Sequence, residues 1–253
     1  MGRRPCNGMR ISAIRRRLGE HGEHRMAHKL VIGNKNTSSW SLRPWLAMRR
    51  AGIAFEEVNI DLRAPDAKAQ VLEHSPSGKV PALLVGGGRV VWDSLAIIEL
   101  LAEDHPALWP RAAAARALAR SVAAEMHSGF QALREHCPMD FLGSKPKGRL
   151  LKPVAADVRR IVAIWQDCRA RHGSGGPFLF GRFSAADAMY APVASRFRTY
   201  LPDLAPYGDD GTAQAYVEAI FAMPEFAEWE SGARQQVAAA KLAVKAPAGR
   251  KPR

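Results

Sequence analysis

Three serines in one short polar segment are the first residues whose types and spacing could do chemistry. Ser38, Ser39 and Ser41 follow a strand-like run, and the apolar residues after them recur at helical spacing. A hydroxyl group donates a hydrogen bond to an anion and a helix N-terminus favours negative charge, so this segment could stabilise an anionic group. The alternative is that these serines only cap the helix, as serines before helices usually do.

Two further polar segments lie where an extended stretch meets another element. Lys79, Val80 and Pro81 directly precede an apolar strand, a place where a proline serves a turn and where a cis bond is plausible. Asp93 and Ser94 stand at the start of an amphipathic helix, and helix N-termini bind carboxylates. All three segments therefore place polar groups at the ends of predicted elements.

The elements that must position these residues fall into two groups. Up to about residue 105 the hydrophobic pattern predicts the order βαβαββα, with a hairpin turn at three consecutive glycines. Beyond the prolines at 106 and 110 only helices are predicted, at 111–137 and 151–171 and from Ser184 and Thr212 onward. The fold class is therefore α/β followed by all-α, with domains at 27–105 and 111–237.

The chain resembles the glutathione transferase superfamily over about residues 28–237, and in particular its serine-type members of zeta-like or related bacterial classes. The segment SSWSLR at residues 38–43 is similar to the S-S-x-S-x-R loop of those proteins, in which a hydroxyl contacts the glutathione sulfur. Ser38 matches that position. Ser39 stays a rival, because the sequence leaves one residue of loop register open.

The resemblance implies how the rest of glutathione, the co-substrate, is bound. Val80 would pair its backbone with the cysteinyl part through a cis bond to Pro81, and Lys79 would reach the glycine carboxylate. Ser94 would receive the γ-glutamyl carboxylate and Asp93 the ammonium. Asp93 stands where the family more often has glutamate, and it is one methylene shorter.

The resemblance also places the second substrate and two structural features. An electrophile pocket is expected at Trp40 and Phe130, while Trp45, Met126 and Leu133 are more simply explained as core. The segment at 183–187 resembles a capping box, with Ser184 and Asp187 starting a core helix. The family resemblance further implies a thioredoxin-like N-terminal domain, an all-helical C-terminal domain and a homodimer.

The function that follows is a cytoplasmic transferase that joins the glutathione thiolate to a small hydrophobic electrophile as a thioether. Serine-type relatives also carry out glutathione-dependent isomerisation or peroxide reduction, and the sequence does not choose among these reactions. A catalytically silent protein that binds glutathione or a partner is the alternative from another class.

The net charge of +13 is concentrated at the two ends of the chain. Residues 1–25 hold seven arginines, and residues 241–253 hold five lysines or arginines without an acid. Basic ends of this kind indicate solvated tails at 1–26 and 238–253, expected to be disordered, and argue against a nucleic-acid-binding face. Met26 directly precedes the first strand, so a translation start there is also expected.

Other site classes find no support in the pattern. No apolar run reaches the length of a membrane-spanning helix. Cys6, Cys137 and Cys168 are not spaced as a metal or disulfide pair, which fits a reducing cytoplasm. His127 and His136 lack a third ligand at metal spacing, so no metal is expected.

Overall fold

The computed structural model describes residues 28–245, so the predictions for residues 1–26 lie outside the described part of the chain. The expected βαβαββα order is present in the N-terminal part. Its elements are β1 (His28–Ile32), α1 (Ser39–Arg50), β2 (Phe55–Asn59), α2 (Ala67–His74), β3 (Ala82–Val85), β4 (Arg89–Val91) and α3 (Ser94–Asp104).

The four strands form one mixed sheet in the order β2-β1-β3-β4. β1 pairs in parallel with β2, and β3 is antiparallel to both β1 and β4. A parallel pair needs a crossover connection, and α1 provides it. Because α1 starts just after β1, the serine segment lies at the carboxyl end of this central strand.

The remaining helices follow a connection around residues 105–112 that contains one short 3₁₀ helix, Pro106–Leu108. They are α4 (Ala113–Ser128), α5 (Gln131–His136), α6 (Lys152–His172), α7 (Ala185–Tyr200), α8 (Thr212–Phe221) and α9 (Pro224–Lys245). This part of the chain differs from the sequence-based expectation in two places.

The helix expected over 111–137 is broken in two between α4 and α5. Gly129 has extended backbone angles and Phe130 has a φ of 61°, a left-handed conformation that interrupts α-helical hydrogen bonding. The other difference is α9, which continues to Lys245 although a disordered tail was expected from residue 238. The alanine-rich sequence after Val237 consists of good helix formers, which explains the extension.

The core is built around α7, which is buried along almost its whole length. The expected capping box is present at its start, and the buried carboxylate of Asp187 accepts from the amide and hydroxyl of Ser184. It also accepts from the Leu179 amide and the Tyr216 hydroxyl. α1 packs against both α3 and α7, so its N-terminus lies where the two parts of the chain meet.

Candidate functional site

Ser38 immediately precedes α1, and its side chain faces Ser41 one turn into the helix. The two hydroxyl oxygens are 2.7 Å apart. The Ser41 oxygen also accepts from the Gly33 amide at the end of β1, at 3.1 Å. Ser38 makes no side-chain hydrogen bond to the helix backbone, so capping does not account for its hydroxyl.

Ser39, the rival of Ser38, has a different partner. Its hydroxyl oxygen accepts a hydrogen bond of 3.2 Å from the guanidinium group of Arg196 on α7. Both serines are almost completely buried. The structure therefore places the two candidate hydroxyls in distinct environments, one in a chain of neutral donors and one beside a cation.

The loop that carries Ser38 is held from two sides. Asn36 donates to the Asp140 carboxylate at 2.9 Å, and its carbonyl and side-chain oxygens accept from the amides of Phe141 and Leu142. On the other side the Lys35 amide donates to the Gln236 side chain of α9, and its carbonyl accepts from the Trp229 indole of the same helix. A loop held in this way is preorganised, which a thiolate site requires.

The second predicted segment lies between α2 and β3. The Val80–Pro81 peptide bond is cis, and Lys79 is exposed. The Lys79 amide donates to the Ser77 hydroxyl at 3.2 Å. Pairing of Val80 and Lys79 with glutathione stays a prediction.

The third segment, at the start of α3, uses its acid within the protein. The Asp93 carboxylate caps α3 by accepting from the amides of Leu95 and Ala96, at 3.0 and 3.3 Å. Its other oxygen lies 3.0 Å from Nε2 of His127 on α4, which gives that histidine a partner in the site. The Ser94 hydroxyl is buried and has no hydrogen-bond partner among the described residues, so it is left open to a ligand.

The two residues expected to line an electrophile pocket differ in exposure. Trp40 is 36% exposed and meets the His127 ring edge to face at 5.3 Å, whereas Phe130 is largely buried. The other three candidates, Trp45, Met126 and Leu133, are fully or almost fully buried and belong to the core.

Sequence reasoning missed a cluster of three arginines beside the serines. Arg43 on α1 is completely buried, and none of its guanidinium nitrogens has a hydrogen-bond partner among the described residues. It lies over the Trp40 ring at 4.2 Å from the centroid, and Arg134 of α5 lies 4.7 Å from the same centroid. The one available signal was that Arg43 is the arginine of the SSWSLR segment.

These arginines are not neutralised by bonded carboxylates. Burial, and then the charges of Arg134 and Arg196, hold the pKa of Arg43 well below its usual value. Burial lowers the pKa of Arg196 to about 10, and its bonds go to the carbonyls of Cys137 and Pro192 and to Ser39. Asp93 and Asp157 compensate Arg43 and Arg134 only in part, without bonding to them, so the arginine cluster is a positive region that favours an anionic ligand.

The cysteines are the other side chains that could carry chemistry. Cys137 and Cys168 are free and buried, and burial raises the pKa of Cys168 to about 12, so it is not a reactive thiol. Cys6 lies outside the described residues. Between residues 28 and 245 no group of histidines, cysteines and acids is arranged to hold a metal ion. In the same range no helix is both long and apolar enough to cross a membrane.

Comparison with known proteins assigns both parts of the chain to one family. The sequence model of the glutathione S-transferase N-terminal domain matches residues 37–104, and that of the C-terminal domain matches residues 111–234. The chain belongs to the glutathione S-transferase family. The expected thioredoxin-like domain followed by a helical domain is thereby confirmed.

Two curated members of this family show the level of similarity. A probable maleylacetoacetate isomerase from Caenorhabditis elegans is 35% identical over 179 residues, which is 68% of this chain and 80% of that protein. A zeta-class glutathione S-transferase from Euphorbia esula is 32% identical over 167 residues, 64% of this chain and 70% of that protein.

A solved structure of similar fold is that of a glutathione transferase homologue from Burkholderia with bound glutathione. It superposes with a TM-score of 0.62 at 21% identity and covers 83% of this chain and 99% of that one. At this identity the similarity concerns the fold alone.

Proposed function

We propose that this protein is a glutathione transferase in which the Ser38 hydroxyl donates to the glutathione sulfur and lowers its pKa. The thiolate then attacks a small electrophile held between the two domains, beside Trp40. The observation that carries the proposal is the position of Ser38, a hydroxyl not used for capping at the N-terminus of α1. Removal of the thiol proton is what makes glutathione a nucleophile.

The other glutathione groups have matching places in this proposal. The γ-glutamyl carboxylate would accept from the free Ser94 hydroxyl and the α3 N-terminus. The Val80 backbone would pair with the cysteinyl part, and Lys79 would meet the glycine carboxylate. Asp93 would reach the ammonium only with the oxygen that now faces His127, so it contributes less than Ser94.

The experiment that tests the proposal is a pH titration of bound glutathione, followed by thiolate absorbance near 240 nm. In the wild-type protein the thiol is expected to ionise well below its pKa in solution, and Ser38→Ala is expected to remove that shift. Ser39→Ala is the matched control, because it deletes an equally buried hydroxyl that bonds to Arg196. A shift that disappears only in Ser39→Ala would assign the role to Ser39 instead, and a protein that does not bind glutathione would refute the proposal.

A second candidate function is glutathione-dependent isomerisation of an anionic substrate. The arginine cluster favours it, because a positive region suits a carboxylate better than a neutral electrophile. The name of the C. elegans relative agrees, since maleylacetoacetate carries carboxylate groups.

Glutathione consumption separates the two reactions. Conjugation uses one glutathione for each thioether formed, whereas an isomerase returns glutathione unchanged. Incubation with maleylacetoacetate and catalytic glutathione, analysed for the cis and trans isomers, tests the second candidate, and 1-chloro-2,4-dinitrobenzene tests the first. Glutathione binding without turnover of either compound or of a peroxide would favour a silent binding protein. The homodimer and the cytoplasmic location stay predictions.

A further inference from the structure

Ser41 is a completely buried serine whose hydroxyl lies between a backbone amide and the Ser38 side chain. Its oxygen accepts from the Gly33 amide at 3.1 Å and is 2.7 Å from the Ser38 oxygen. Ser41 lies within α1, and its hydroxyl is already engaged by Gly33 and Ser38, so it does not bond to a ligand itself. Its effect on a ligand must pass through Ser38.

The direction of the bond between the two serines follows from the available partners. A hydroxyl has one proton to donate and two lone pairs that accept. The Ser41 oxygen already accepts from Gly33, and the single acceptor among the described residues for the Ser41 proton is the Ser38 oxygen. A buried hydroxyl proton without an acceptor is costly, so Ser41 donates and Ser38 accepts.

This direction leaves the Ser38 proton unused. If Ser38 donated to Ser41 instead, only its lone pairs would face the sulfur, and they would repel a thiolate. We infer that Ser41 is a positioning residue that, by donating to Ser38, turns the Ser38 proton toward the glutathione sulfur. The inference rests on the proposed function of Ser38.

The chain of donors from Gly33 through Ser41 to Ser38 also strengthens its last member. Each hydrogen bond that an oxygen accepts makes its own O–H a better donor, because neighbouring bonds polarise one another. The Gly33 amide is fixed at the end of β1, so the chain is anchored in the sheet. Ser39 lies outside this chain of donors, since its oxygen accepts from the guanidinium group of Arg196.

The test is the pKa of the bound glutathione thiol in Ser41→Ala, measured by the same thiolate absorbance titration as for Ser38→Ala. Loss of one supporting hydrogen bond is expected to raise that pKa by about 0.5 to 1 unit, less than the rise in Ser38→Ala. The matched control is Ser195→Ala, a buried serine on α7 whose hydroxyl has no partner among the described residues. Its bound thiol is expected to titrate as in the wild type.

S-methylglutathione separates positioning from a merely structural role, because it has no thiol to ionise. Its affinity is expected to be the same in wild type and Ser41→Ala. An affinity that falls with the substitution would mean that Ser41 only shapes the loop, and the inference would be overturned. Ser41→Cys keeps a donor at this position, although a weaker and larger one, so the pKa of the bound glutathione thiol is expected to lie between the values in wild type and Ser41→Ala.

Failure of this inference is distinguishable from failure of the proposed function. If Ser38→Ala removes the pKa shift while Ser41→Ala and Ser41→Cys titrate as wild type, Ser41 has no positioning role and the function of Ser38 stands. If none of these substitutions changes the pKa, the proposed role of Ser38 fails and the inference fails with it.

Discussion

At the scale of single residues, the polar side chains of the α1 segment are satisfied to different degrees. Ser38 and Ser41 bond to each other and Ser39 bonds to Arg196, whereas Arg43 is buried without a hydrogen-bond partner among the described residues. A buried cation without hydrogen bonds costs free energy, and its stacking on Trp40 returns only part of that cost. A residue kept at such a cost is expected to serve a ligand.

Replacement of Arg43 by methionine tests this trade between stability and ligand binding. Because methionine fills a similar volume without a buried charge, the free energy of unfolding of the ligand-free protein is expected to rise by about 1 kcal/mol or more. The preference for an anionic electrophile is expected to fall at the same time. Urea denaturation measures the first effect, and the kcat/KM ratio for 4-chloro-3,5-dinitrobenzoate over 1-chloro-2,4-dinitrobenzene measures the second.

A matched substitution and the opposite result complete the test. Arg120→Met removes an exposed arginine of α4 that pairs with Glu99, so neither stability nor the electrophile ratio is expected to change appreciably. If Arg43→Met destabilises the protein and leaves the ratio unchanged, Arg43 has a structural role and the anion-binding argument is wrong.

The site could be predicted from the sequence only where its residues are close together in the chain. The serine segment and the start of α3 were located because hydroxyls and a carboxylate stand directly before helices. Arg134 and Arg196 were missed because their approach to Trp40 and Ser39 depends on how α5 and α7 pack against α1. Such long-range contacts leave no local pattern.

At the scale of secondary-structure elements, α9 is the helix that fixes the loop before Ser38. The indole Nε1 of Trp229 donates to the Lys35 carbonyl at 2.9 Å, and the Lys35 amide donates to the Gln236 side chain at 2.7 Å. The Lys35 ammonium group pairs with Glu57 at 2.8 Å and lies over the rings of Trp45 and Trp229. α9 therefore joins the end of the chain to the loop that holds the candidate nucleophile-activating serine.

Truncation of Trp229 is expected to damage both stability and glutathione binding. Trp229→Ala removes a fully buried indole, so unfolding should become easier by about 3 to 5 kcal/mol. Loss of the bond to Lys35 also makes the loop before Ser38 less ordered, so KM for glutathione is expected to rise several-fold. Chemical denaturation and steady-state kinetics measure the two effects.

Trp165→Ala is the control for this prediction. Trp165 is equally buried but packs among α6, α7 and α8, against Tyr190, Phe197 and Tyr216. Its removal is expected to destabilise the protein by a similar amount without affecting KM for glutathione in the folded protein. Equal changes of KM in both variants would mean that α9 has no specific role in holding the loop.

The sequence predicts the order of the elements better than it predicts where the helices end. Strand and helix periods are local, so the order of all elements up to α3 was predicted correctly. The break between α4 and α5 was not foreseen, because a left-handed backbone is unusual at a residue such as Phe130. Residues 238–245 were expected to be disordered because their composition is of low complexity. The same alanine-rich composition also favours a helix, and α9 includes these residues.

At the scale of the whole molecule, the candidate site is built from both parts of the chain. Ser38, Trp40 and Asp93 come from the N-terminal part, while His127, Arg134 and Arg196 come from the helices. The core that holds those helices together depends on α7, and the start of α7 depends on one buried acid, Asp187. Titration of Asp187 therefore changes the stability of the core that supports the candidate site.

Burial raises the pKa of Asp187 to about 6, although four hydrogen bonds act in the opposite direction. The unfolded chain has the ordinary value near 4, so between about pH 4 and 6 the folded protein binds the proton more tightly. The contribution of Asp187 to stability is therefore fully present below pH 4 and is lost as the pH rises through 6. Two pKa units correspond to at most about 3 kcal/mol.

Urea denaturation of wild type and Asp187→Asn at several pH values isolates this contribution, because the other titrating groups are common to both proteins. Glu57 and Asp140 have lowered pKa values, so their contributions run the other way and are lost as the pH falls. They cancel in the difference between the two proteins. Asparagine cannot ionise, so the loss of stability caused by Asp187→Asn is expected to be larger at pH 4.5 than at pH 7. A difference that grows toward pH 7 would show that the four hydrogen bonds stabilise the carboxylate more than burial destabilises it, and Asp187 would then be ionised in the folded protein throughout this range.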